Sequence, residues 1–119
     1  MQPILLTVNG TGTSAVVTPD YMQNPFAIGI GVNVTGTGNG TTIGWRIEHT
    51  FDNLNTATAT VTNWFPNSAI GTAGSAAYTN VLILDMNYAF PVTGIRLNVG
   101  TALATTTVIA NIIQASNAP

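Results

Sequence analysis

The chain has no cysteine and no lysine, and its charged side chains are two arginines, three aspartates and one glutamate. Without cysteine there can be no disulfide, no thiolate nucleophile and no zinc–thiolate site. The two positive side chains, Arg46 and Arg96, cannot build the basic surface that displaces counterions from phosphate, so no nucleic-acid partner is expected. A single histidine, His49, argues against a zinc centre, and no cofactor or metal is expected. Long apolar runs are also missing. The Val81-Leu82-Ile83-Leu84 run is far short of the roughly 18 residues of a spanning helix, and no membrane partner is expected. Met1 to Thr7 lack a basic n-region and a long apolar h-region, which predicts no secretory signal and folding in a cytosol.

What remains is apolar. Of 119 residues, 45% are hydrophobic and 5% charged, against about a quarter charged in an ordinary soluble domain. That balance excludes disorder, which couples low hydrophobicity to high charge. The length predicts one domain over residues 1–119. No segment carries the 3.6-residue period of a helix, whereas short alternating runs separated by Thr, Asn and Gly turns recur throughout. The expected fold class is all-β: an antiparallel β-sandwich, jelly-roll-like, with about seven or eight short strands.

The clearest alternation is Phe26 to Val34, with Phe26, Ile28, Ile30, Val32 and Val34 on one face and Ala27, Gly29, Gly31 and Asn33 on the other. The small face predicts a close approach by something else. Asn39-Gly40 reads as a hairpin turn leading into Gly44 to Phe51, so strands 26–34 and 42–51 are expected to pair antiparallel. In the same way Asn9-Gly10 predicts a hairpin joining Ile4–Val8 to Thr13–Thr18. Val8-Asn9-Gly10-Thr11-Gly12 and Val34-Thr35-Gly36-Thr37-Gly38 are alike, which predicts similar local turns and not an internal repeat. Thr56 to Thr62 reads as a strand, Gly71 to Ala77 as a loop, Ile95 to Val99 as a strand with Arg96 facing out, and Thr105 to Ala115 as a long last strand.

The segment Gly44 to Asn53 holds most of the polar chemistry. Trp45, Ile47, His49 and Phe51 fall on one face; Arg46, Glu48, Thr50 and Asp52 on the other. Glu48 and Asp52 invite a glycosidase reading, but four residues of strand separate them by about 13 Å, beyond the roughly 5–9.5 Å of catalytic carboxyl pairs. An ion pair between Arg46 and Glu48 at i, i+2 is the expected arrangement. The scarcity of charge predicts that an arginine pairs across strands or subunits, with Glu48, Asp52 and Asp85 as the acids available to Arg46 and Arg96. His49 on the apolar face is expected to be a core histidine with one hydrogen bond. No nucleophile elbow surrounds Ser14, Ser68, Ser75 or Ser116, so no catalytic residue is assigned and the protein is not expected to be an enzyme. Asp52-Asn53-Leu54-Asn55 reads as an Asx-type turn rather than a calcium loop. Trp64-Phe65 is the candidate aromatic contact, one ring anchoring while its neighbour is presented outward.

The stretches Asn24-Pro25-Phe26-Ala27, Glu48-His49-Thr50-Phe51-Asp52, Trp64-Phe65 and Tyr88 to Val99 resemble small virion structural proteins of tailed bacteriophages, of the kind that decorate or cement the capsid. The resemblance implies a β-sandwich or jelly roll present in many copies, often as trimers. Its partners would be the major capsid protein and further copies of itself, on the virion exterior after assembly in the host cytoplasm. The scarcity of lysine and charge at the sheet edges independently favours covered edges and an assembly. The rival reading is a carbohydrate- or receptor-binding β-module of a fibre, with Trp64, Tyr78 or Tyr88 as stacking platforms.

Overall fold

A computed structural model describes residues 3–22, 26–38, 42–52, 63–67 and 78–115. Among them the secondary structure is nine strands: β1 (Ile4–Asn9), β2 (Gly12–Thr13), β3 (Ile28–Thr35), β4 (Gly44–Thr50), β5 (Phe65–Pro66), β6 (Tyr78–Thr79), β7 (Ile83–Tyr88), β8 (Gly94–Thr101) and β9 (Thr107–Gln114). They form two antiparallel sheets. Sheet I runs β1-β9-β3-β7; sheet II runs β2-β8-β4-β5, with β6 also on β4. β5 pairs with Glu48 and His49 while β6 pairs with Gly44 and Trp45, so the two short strands share one edge position.

The pairing is nested. β1 meets β9, β2 meets β8, β3 meets β7 and β4 meets β5 and β6, so the second half of the chain folds back along the first. Further ladders, β3 with β9 and β4 with β8, roll that long hairpin into two layers. This is the jelly roll, an antiparallel sandwich of eight strand positions. Alternation fills the space between the layers. Ile28, Ile30, Val32, Val34, Val108, Ala110 and Ile112 of sheet I meet Trp45, Ile47, Ile95, Leu97 and Val99 of sheet II, and all are buried. The Trp45 indole N–H, which would be costly to bury unpaired, donates to the Val81 carbonyl at 2.8 Å.

Two expected pairings are corrected. Strand 26–34 does not pair with strand 42–51: β3 lies in sheet I and β4 in sheet II, and their apolar faces meet across the core. Nor does the first strand turn back onto residues 13–18, because β1 pairs with β9 and β2 with β8. Both errors have one cause. The turn after Asn9 and the turn after Thr35 are sheet-to-sheet corners rather than hairpins. Gly10 and Gly36 adopt almost the same left-handed φ, 73° and 74°. The two corners flank the β8–β9 turn: the Gly10 N–H donates to Thr106 O at 2.8 Å, and the Thr106 hydroxyl donates to Gly36 O at 3.2 Å. A Cβ on Gly36 would run into the Thr105 carbonyl, so that corner requires glycine twice over. The sequence likeness between the two stretches therefore marks two equivalent corners. The Asn39-Gly40 turn, the expected strand at 56–62 and the loop at 71–77 lie outside the described residues.

Candidate functional site

β4 carries the chain's polar chemistry on both of its faces. On the outer face of sheet II, Glu48 stands between the two arginines. Arg46 Nη2 lies 2.5 Å from Glu48 Oε2, and Arg96 Nε donates to Oε1 at 2.7 Å. Asn98 Nδ2 adds a longer hydrogen bond to Oε1 at 3.3 Å. The i, i+2 spacing on β4 supplies the first pair, and the register supplies the second, because Glu48 is directly opposite Arg96 on β8. Trp64, at the start of the β5 segment, lies over the Arg96 guanidinium, 4.2 Å from carbon to ring centroid. Glu48 is fully buried while both arginines remain about one-fifth exposed. A carboxylate enclosed in this way holds the β4–β8 register; it is not reachable by a substrate. Asp52, past the end of β4, accepts from the Asn63 N–H at 3.4 Å, and its carbonyl accepts from the Thr93 hydroxyl at 2.7 Å. Asp85 is exposed on β7, in the other sheet, with no ion pair or hydrogen bond among the described residues. Glu48, rather than Asp52 or Asp85, is thus the acid that both arginines share.

On the inner face, at the end of the sandwich where β4 terminates, four rings gather around His49. Phe51, Phe65, Tyr88 and Phe90 have centroids 5.3, 5.9, 4.9 and 5.4 Å from the imidazole. His49 Nδ1 and the Tyr88 hydroxyl are 2.8 Å apart, so each buried polar group satisfies the other. His49 and Tyr88 are buried, whereas Phe51, Phe65 and Phe90 are 54, 46 and 38% exposed. Phe51 keeps to the side of His49, as the alternation places it, but β4 ends at Thr50 and the ring lies on the rim rather than among the buried residues. The Trp64-Phe65 pair does divide its roles, but not between core and solvent. Trp64 covers Arg96 on the outer face, and Phe65 joins the rim cluster opposite His49. Phe90 carried no signal of its own in the sequence, and Tyr88 was singled out as a possible stacking platform rather than as the partner of His49. Asp85 and Asn87 interrupt the apolar run of β7, and only the alternation Leu84, Met86, Tyr88 marks its inward face.

Burial lowers the His49 pKa below its ordinary 6.5, and the neighbouring Glu48 carboxylate opposes that shift without cancelling it. The folded state therefore binds fewer protons than the unfolded chain as pH falls through 6.5 and below. The stability contributed by neutral His49 is complete above that pH and is lost on acidification. The melting temperature should fall between pH 7 and pH 5.5, and His49→Phe should flatten that segment of the profile. Parallel profiles for the two proteins would show that His49 is not the titrating group.

Among the described residues no three His, Asp or Glu side chains stand close enough together to hold a metal ion. No protein family, curated protein or solved structure matches the chain.

Proposed function

We propose that the protein is a non-enzymatic virion structural protein that decorates and stabilises the capsid shell of a tailed bacteriophage, acting as a homotrimer. The observation that carries this reading is what the surface offers once the arginines, Glu48 and His49 are committed. Glu48 takes both arginines, His49 lies beneath the rim rings, and the exposed side chains include Phe51, Phe65, Phe90, Leu5, Ile83 and Ile113. Apolar surface of this kind suits a protein whose faces are covered by neighbours. The resemblance along the chain supports the same reading. Contacts of this type respond weakly to salt, and repetition over many copies supplies avidity without any single strong site.

The jelly roll also occurs in lectins, and three exposed phenylalanines keep a glycan- or receptor-binding module of a fibre as the second reading. Its expected platforms fare poorly. Tyr88 is buried beneath the cluster and one face of Trp64 is taken by Arg96, while the Tyr78 side chain lies outside the described residues. Electron microscopy of purified particles separates the two readings. Density for the sandwich repeated over the shell is expected. Density confined to a fibre would favour the second reading, and absence from the particle would end both.

A further inference from the structure

The outer face of sheet I is a regular surface that the arrangement of β4 leaves unexplained. Its outward positions form cross-strand rows set by the register: Leu5-Asn111-Gly31-Asp85 and Thr7-Ile109-Asn33-Ile83, with Ile113-Gly29-Asn87 beside them. Gly29 and Gly31 leave a trough along β3, walled by β9 on one side and β7 on the other. Two hollows lie along it, one around Gly29 between Ile113 and Asn87, the other around Gly31 between Asn111 and Asp85. Nothing lies within 4 Å of where a Gly31 side chain would begin. At Gly29 the Ile113 side chain lies 3.7 Å from the equivalent point, an ordinary contact, so it is at Gly31 that the described part of the chain leaves the expected close approach unfilled. Leu5, Ile83 and Ile113 are exposed at 62, 78 and 48% around the trough. Four strands of six to eight residues span roughly 20 by 25 Å at the usual strand dimensions. That footprint is on the order of one side of a standard interface, about 800 Å² of accessible surface.

Among the described residues one charge sits on this face, the unpaired Asp85 on the wall of the trough beside Gly31. A second copy of the chain has no lysine to offer it. Its arginines are both fastened to the buried Glu48, and withdrawing one leaves that carboxylate under-compensated, a strongly unfavourable change. We infer that the outer face of sheet I docks a protein of a different kind, one that presents an apolar extended ridge bearing a lysine or arginine that reaches Asp85 through the glycine trough. This rests on the proposed virion role only in naming the shell as the source of that ridge. The trough gives shape, the Leu5, Ile83 and Ile113 rim gives apolar area, and Asp85 fixes the register. A mismatched charge there is costly.

Gly31→Leu and Asp85→Lys test the inference, since one fills open space and the other alters an exposed side chain. Co-sedimentation with particles stripped of the protein is expected to show wild-type docking, and more than about a tenfold loss for each variant, with melting temperatures unchanged. Wild-type docking retained by both variants would overturn the inference and leave the virion role standing. Loss of the homo-oligomer in Gly31→Leu would also overturn it, because the occupant would then be a second copy. If the wild type does not dock on particles, the virion reading falls. The face is then judged by amide chemical shifts with an alternating valine–lysine peptide and its valine–glutamate counterpart. Shifts at Gly29, Gly31 and Asn111 with the lysine peptide alone are expected; none with either, or equal shifts with both, overturns the inference.

Discussion

Arg46→Ala and Arg96→Ala together are expected to lower the unfolding free energy by about 3–5 kcal/mol, the scale for a buried charge stripped of its partners. In a domain of this size that corresponds to a melting temperature lower by roughly 10–20 °C. The reason lies in the asymmetry of the triad: Glu48 is fully buried, while the arginines keep about one-fifth of their side chains in water. Removing the arginines leaves the enclosed group without compensation. Removing Glu48 as well, with methionine in its place, should recover much of the loss, because replacing buried ion pairs by apolar groups of similar volume is often neutral. Arg96→Ala alone also releases Trp64 from its guanidinium. Unchanged melting in the double variant would show that the triad does not hold β4 to β8.

Serine at Phe51, Phe65 and Phe90 together is expected to convert the proposed homotrimer into monomers at assay concentration without unfolding the chain. Buried aromatic anchors at interfaces contribute about 2 kcal/mol or more each when truncated, roughly thirtyfold per ring. In the isolated chain these three rings are already partly in water, so their replacement thins the cover over His49 and Tyr88 but leaves the core between the two sheets in place. Their floor, His49 with Tyr88, stays intact through its 2.8 Å hydrogen bond. Light scattering distinguishes the outcomes. A wild type that is already monomeric would remove the trimer but not the shell-binding role. A triple variant with the wild-type oligomer would show that the subunits meet elsewhere.

The strands of this fold were more legible than their neighbours. Period-two alternation located β3, β4, β8 and β9, because each turns large apolar residues to one side and the sandwich core accepts only that side. The same pattern could not tell whether Ile30 and Ile47 share a sheet or face each other across it. Both arrangements bury the same atoms, and sequence neighbours pair often enough to favour the wrong one. The corners at Gly10 and Gly36 were visible as tight turns, but a tight turn that changes sheets has the same local chemistry as one that closes a hairpin. At β4 the ion pair between Arg46 and Glu48 followed from spacing alone. Arg96 as the third member depended on a register between residues 48 positions apart in the chain. The rim cluster was hidden because Phe51, Phe65 and Phe90 come from three separate segments, each with only one or two aromatics.

The most direct measurement of the central claim is survival of the shell with and without this protein. Particles stripped of it, and the same particles after it is added back, are heated or subjected to osmotic shock, and intact shells are counted. Loss of bare shells under conditions that decorated shells withstand, with recovery on adding the protein back, is the predicted result. Equal survival of bare and decorated shells would contradict the stabilising role.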